Sequence, residues 1–166
     1  MNKHRFHPSI LRAYDIRGIV DDTLTDDDAR AIGLGFAACL RARGHKNRVM
    51  VGRDGRLSSP RLATALIQGL VAGGAAVHDI GCGSTPMLYY AGVKHQADGA
   101  IQITGSHNPP THNGFKMVMN GTVFFGEDIQ ELGEISVAGV DEMPGGSLVE
   151  LPIFDDYVSR LLVNAD

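Results

Sequence analysis

The chain predicts an α/β fold in three layers, an α/β/α sandwich whose sheet is mostly parallel with an antiparallel hairpin at the edge. Two observations point there. Apolar runs of strand length alternate three times with helical stripes, the pattern of a parallel sheet covered on both faces. Asn120-Gly121 then stands between two further apolar runs, the strongest two-residue hairpin signal. Size and composition agree. The chain has 166 residues, 43% of them hydrophobic and 20% charged, enough for one domain with a real core.

The elements follow in order. Leu11 to Gly18 reads as a short strand ending in glycine. Thr25 caps the first helix, and Asp26, Asp27 and Asp28 fill its first turn, where the helix dipole favours negative charge. Ala29, Ile32, Gly33, Phe36, Ala37 and Leu40 make its apolar stripe, and Gly44 stops it after Arg41 and Arg43. Arg48-Val51 is a strand. Ser59-Pro60 opens a second helix whose stripe runs Leu62, Leu66, Leu70 to Gly73. Ala75-Ile80 is a strand, Thr85-Pro86 opens a third helix through about Lys94, and Gly99-Thr104 is a strand. The hairpin pairs Phe115–Met119 with Thr122–Phe125. A short helix over 126–134, a loop over 136–152 with a strand at Ser147–Leu151, and a final helix on Phe154, Val158, Leu161 and Leu162 complete the chain.

Several functional classes drop out. Net charge is -4 and no basic run occurs, so no nucleic-acid surface is expected. No apolar stretch reaches membrane-spanning length, and Met1–Pro8 leads into no apolar leader core, so no membrane partner is expected and a cytoplasmic location follows by default. Cys39 and Cys82 lack metal or redox spacing and read as two buried thiols. The aspartates at 21, 22 and 26–28 lack calcium-loop spacing and read as a turn and a helix start. Asn120-Gly121-Thr122 also fits a glycosylation acceptor, but the turn reading accounts for it.

Ligands of open α/β sheets bind beyond the carboxyl ends of the strands. Three loops lie there: 52–60, 81–86 and the one carrying Ser106. Alone, Ser106 is a turn serine beside Asn-Pro. A serine-hydrolase reading fails, because Gly105-Ser106-His107-Asn108 is not Gly-x-Ser-x-Gly. An adjacent histidine is also not expected to fold back onto the hydroxyl as a triad base. His107 reads either as a hydrogen bonder shaping the turn or as a proton carrier near the substrate hydroxyl. Arg53, Asp54 and Arg56 read mainly as structural, bracing the loops through ion pairs. Lys116, alone, is a solvated lysine.

The run Thr104-Gly105-Ser106-His107-Asn108-Pro109-Pro110-Thr111-His112-Asn113-Gly114-Phe115-Lys116 closely resembles the phosphoserine loop of the α-D-phosphohexomutase family, in its bacterial phosphomannomutase/phosphoglucomutase branch. Ala13-Tyr14-Asp15-Ile16-Arg17-Gly18 resembles the opening of that family's first domain, and Val51–Pro60 a third of its segments. The resemblance covers nearly the whole chain as the first of four domains. It implies residues 1–152 as domain 1, and 153–166 as a terminal helix leading toward a second domain. It also implies an isomerase of carbohydrate metabolism, a phosphoprotein that moves a phosphoryl group between the 1- and 6-positions of a hexose phosphate. The substrates would be glucose or mannose 1- and 6-phosphates, with a bisphosphate intermediate. In that reading Ser106 is the phosphorylated nucleophile and, through its phosphate, a magnesium ligand. Tyr14 contacts the sugar phosphate. Arg17 steadies the phosphoryl group, and Lys116 offsets its charge, with His107 beside them.

The sequence contains no Asp-x-Asp-x-Asp-Arg metal loop and none of the sugar-reading loops of domains 2–4. The chain is therefore expected to fold with little or no turnover of its own. A non-catalytic phosphosugar-binding or interaction module is the alternative from another class. A phosphoglucosamine mutase domain is the alternative within the enzymes. It ranks lower because that branch usually has a small residue other than glycine before the serine and lacks the double proline.

Overall fold

The computed structural model describes residues 1–163. The elements are β1 (Ile16–Ile19), α1 (Asp26–Ala42), β2 (Arg48–Arg53), α2 (Ser59–Ala72), β3 (Ala76–Cys82), α3 (Thr85–Lys94), β4 (Gly99–Ile103), β5 (His112–Met119), β6 (Thr122–Val123), α4 (Glu127–Ala138), β7 (Ser147–Glu150) and α5 (Phe154–Leu162). The strands form one sheet in the order β1-β5-β4-β2-β3-β7, with β6 also paired to β5. Strands β4, β2, β3 and β7 run parallel, and β5 is antiparallel to β4, β1 and β6. This is the predicted α/β/α arrangement. The antiparallel strand β5 has β1 beside its first half and β6 beside its second.

Two cores of unequal size make the layers. On one face α1, α2 and α4 cover the sheet, burying Ile32, Phe36, Leu66, Ile129 and Leu132 against Val49, Val51, Ile101, Ile103 and Phe115. On the other face α3 packs Met87, Leu88 and Ala91 over Met50, Ile80 and Ala100. Alternation along the strands separates the two faces. Helix α3 lies over β2 and β4, and of β5 only Val118 joins this cluster, so the same face of β1 and of the first half of β5 is left open by the helices.

Helix ends deviate from the sequence reading where hydroxyls have other work. The first helix has the expected cap, with Thr25 and Asp28 bonding reciprocally. In α3 the capping oxygen belongs to Ser84, not Thr85. In α2 neither Ser58 nor Ser59 caps, because both hydroxyls bond into the neighbouring loop. Strand β6 ends at Val123 because Phe124 turns inward, edge-on to Phe36 at 5.3 Å between ring centroids. Helix α4 outruns the expected 126–134, continuing to Ala138 before Gly139 ends it. The expected terminal segment 153–166 begins as α5, which packs on α3 through Lys94–Asp156 and Tyr90–Tyr157; residues 164–166 lie outside the described residues.

The first ten residues carried no assignment in the sequence. They run as a strap: Asn2 pairs with Val140, His4 bonds Asp28 at 2.7 Å, and Phe6 and Ile10 enter the main core. The cysteines also part company. Cys39 is buried, which pushes its thiol up to about 12, with Glu131 adding to the effect. Cys82 is exposed at the end of β3, contrary to the expectation of two buried thiols, because that strand runs past the core into a loop.

Helices α1 and α2 touch backbone to backbone. A Cβ on Gly69 would run into the carbonyl of Arg30, and one on Gly33 into the carbonyl of Leu66. Glycine costs a helix about 1 kcal/mol relative to alanine. Here closeness outweighs propensity. Gly69→Ala is expected to destabilise the protein by roughly 1–3 kcal/mol, the cost of overpacking, despite the better helix former. Urea unfolding checks the sign.

Candidate active site

Ser106 is exposed and lies beyond the carboxyl end of β4. Its φ is 53°, in the left-handed region that costs an ordinary residue about 1–2 kcal/mol. Its amide bonds Thr104 Oγ1 at 2.9 Å. Its Oγ stands 3.2 Å from His107 Nδ1. The adjacent histidine therefore lies within hydrogen-bond reach of the hydroxyl, as His112 does of the Thr111 hydroxyl at the same 3.2 Å.

The loop is held from beneath by Arg56. Its Nη1 donates to the carbonyls of Pro109 (2.7 Å) and His112 (3.0 Å), and its Nη2 to those of Ser106 (3.0 Å) and Asn108 (2.7 Å). Its Nε meets Asp54 Oδ2 at 3.3 Å. Asp54 in turn accepts from Ser59 Oγ at 2.5 Å, the Arg56 amide at 3.1 Å and the Gly105 amide at 3.2 Å. Burial raises the Asp54 carboxyl. Hydrogen bonds from Ser59, the Arg56 amide, the Thr104 hydroxyl and the Gly105 amide outweigh that and hold it below its ordinary value. Asn113, fully buried at the start of β5, donates to Ser58 Oγ (2.8 Å) and Ser59 Oγ (2.9 Å). Loop 52–60 and loop 104–113 are thereby one polar unit. Loop 81–86 joins through Gln102 Nε2, which donates to the Gly83 carbonyl at 3.0 Å, and through the Gly83 amide on the Arg53 carbonyl.

Arg17 comes in from β1. It is 6% exposed, pairs with Asp15, and donates from Nη1 to the Gly105 carbonyl at 3.3 Å. Its Nε is buried without a partner. Lys116 lies directly across the ladder from Gln102, and Arg17 across from Gly114. Strand alternation puts Arg17, Lys116 and Gln102 on the open face of the sheet, opposite Ile16, Phe115 and Ile103. Lys116 is half-buried and forms no ion pair among the described residues. Tyr14 precedes β1 in a bend. It is 79% exposed, stacks on Phe125 at 6.2 Å, and makes no hydrogen bond to the Ser106 loop. The structure thus gathers Ser106, His107 and Arg17, sets Lys116 on the same sheet face as Arg17, and leaves Tyr14 against Phe125 with no bond to any of them. Sequence reasoning gave Arg56 an ion pair. Its hold on four carbonyls has no side-chain signature to read.

No group of three or more histidine, cysteine, aspartate or glutamate side chains is placed to hold a metal among the described residues. The carboxylate closest in the network, Asp54, is already bonded on both oxygens.

The chain resembles known proteins over most of its length. The family description "Phosphoglucomutase/phosphomannomutase, alpha/beta/alpha domain I" matches residues 8–139. The chain is 52% identical over 154 residues to a phosphomannomutase/phosphoglucomutase of Pseudomonas aeruginosa, covering 92% of this chain and 33% of that protein. It is 50% identical over 123 residues to a phosphoglucomutase of Neisseria gonorrhoeae, covering 74% and 26%. A solved phosphoglucomutase/phosphomannomutase family protein from Burkholderia thailandensis superposes with a TM-score of 0.88 at 41% identity, over 96% of this chain and 36% of the other. The chain spans about a third of the length of these relatives.

The Asp54 network has a pH signature. A carboxyl held low in the folded state stabilises above its unfolded value, and the stabilisation is lost as pH falls through the folded value. Asp54 therefore contributes fully at neutral pH and fades below about pH 4. Asp54→Asn is expected to cost about 1–3 kcal/mol at pH 7. Urea titrations of both proteins should draw together as pH falls below the ordinary carboxylate range and through the folded-state value of Asp54.

Proposed function

Because the chain belongs to the phosphoglucomutase/phosphomannomutase family, as its α/β/α domain I, we propose that Ser106 carries a phosphoryl group between the 1- and 6-positions of a hexose phosphate. One observation supports this above the rest. The Ser106 hydroxyl is exposed beyond the sheet's carboxyl end, with a histidine nitrogen at 3.2 Å and a buried arginine under the preceding peptide.

In the transfer, the phosphorus–Oγ bond of phosphoserine breaks as a bond forms to a sugar hydroxyl. Ser106 Oγ leaves needing a proton, and His107 Nδ1 is the group in reach to give it. The sugar hydroxyl gives its own proton to water. When the sugar bisphosphate has turned over, Oγ attacks the other phosphoryl group, the same nitrogen takes the proton back, and the departing sugar oxygen is protonated from water. The phosphoryl oxygens carry about two negative charges near neutral pH. Arg17 and Lys116, both on the open face, are the cations this chain offers them. Tyr14, exposed in the bend before β1, is assigned to the sugar phosphate by the family resemblance alone. Positioning and charge compensation do most of the work in phosphoryl transfer.

Magnesium, when bound, would neutralise phosphoryl charge. The described side chains do not make a magnesium site, so an ion held by phosphoserine oxygens would need further ligands from outside these residues. For the same reason the chain alone is expected to show little or no mutase turnover.

Intact-mass spectrometry tests the proposal. After incubation with glucose 1,6-bisphosphate, the chain is expected to gain one phosphoryl group, mapping to Ser106 and absent in Ser106→Ala. Lys116→Met should slow loading by roughly 10²-fold or more, the scale of losing one charge-stabilising group. Saturable hexose-phosphate binding that survives Ser106→Ala, with no phosphoryl gain in the parent chain, would instead make this a binding module.

A further inference from the structure

We propose that Arg56 is the positioning residue of the site: it holds Ser106 in its left-handed backbone conformation by drawing four carbonyl oxygens to one side of the loop. The argument begins with donors and acceptors. A seven-residue stretch, Ser106 to His112, turns four carbonyls inward onto one guanidinium. Backbone carbonyls are strong acceptors, and four of them here share the donors of one side chain. Arginine suits the place because its planar fork spreads donors over both edges, while a lysine ammonium is a point. Asp54 fixes the fork from the other side through Nε.

The effect on Ser106 is specific. Its carbonyl is tied to Arg56 Nη2 and its amide to Thr104 Oγ1, on either side of the strained φ. Both peptide planes are therefore pinned, and the left-handed turn is what joins them. In that conformation Oγ stands 3.2 Å from His107 Nδ1. The negative ends of four peptide dipoles are held on the guanidinium. Gly105 belongs to the same device. A Cβ there would fall onto the Arg56 guanidinium, so the residue before the serine must be glycine for the clamp to close.

The value of this device to phosphoryl transfer rests on the function proposed above. Its existence does not, and its test needs no turnover. The chain labelled with ¹³C and ¹⁵N reports the Ser106 backbone through its Cα and Cβ shifts. In the parent these should mark the left-handed region; in Arg56→Lys they should move to right-handed or extended values, which a fold-wide loss of stability with the loop intact would not produce. A double-mutant cycle adds an independent reading. Glycine relieves left-handed strain. Ser106→Gly should therefore raise the folding equilibrium constant of the parent by roughly five-fold more than that of the Arg56→Lys variant, the ratio set by about 1 kcal/mol of strain.

Should Arg56→Lys fail to fold, Gly105→Ala carries the test, since its methyl displaces the guanidinium while leaving Arg56 in the sequence. It should give the same shift change at Ser106. Unchanged Ser106 shifts in a folded variant, or an equal glycine gain in both backgrounds, overturns the proposal. Failure of phosphoryl loading with the shift change intact would leave the clamp standing and sink the function instead.

Discussion

The structure around the site depends on one constraint: a loop that turns its carbonyls inward has to find donors there. Arg56 supplies them to four residues at once, and Asp54 supplies the counter-charge that lets an arginine sit half-buried under a loop. Neither would be stable alone. An arginine facing only carbonyls keeps an uncompensated charge, and a carboxylate facing only amides has less to balance its desolvation. Together with Ser59 and Asn113 they join the end of β2 to the hairpin of β4 and β5. Side chains that would ordinarily cap α2 are used in this joint, which is why that helix starts without a side-chain cap.

Most of the architecture was legible in the sequence because it is written in side-chain periodicity and turn chemistry. Thr25, Gly44, Asn120-Gly121 and the stripe of α1 each state a local preference that the fold obeys. What was illegible depends on partners distant in sequence. The strap of residues 1–10 has no period, yet Phe6 and Ile10 are core. Ser84 and Thr85 are both good caps, and only the backbone decides between them. Cys82 looked like Cys39 until β3 was seen to overrun its cover. Within the site, the identity of Ser106 as the displayed hydroxyl came through the motif around it. The left-handed φ of Ser106 did not, because no residue type other than glycine announces one.

The two faces of the sheet divide the labour. One is sealed by α1, α2 and α4, with helices close enough that Gly33 and Gly69 must remain without side chains. The other is only partly covered by α3, and the polar residues Arg17, Lys116 and Gln102 lie on it where the cover ends. Arg17 is buried by the loop above it and by Asp15 rather than by a helix. A cation so placed is fixed in direction before any anion arrives, so little of its side-chain entropy remains to be lost on binding.

Ser106 and Lys116 belong to one continuous strand-loop-strand stretch, and the hydrogen-bonded ladder between β4 and β5 fixes the register of Lys116 against Gln102, four residues before the serine. Domain-scale movement elsewhere in the molecule would carry both ends of that stretch together, while the loop between them, held by Arg56, governs where the hydroxyl sits.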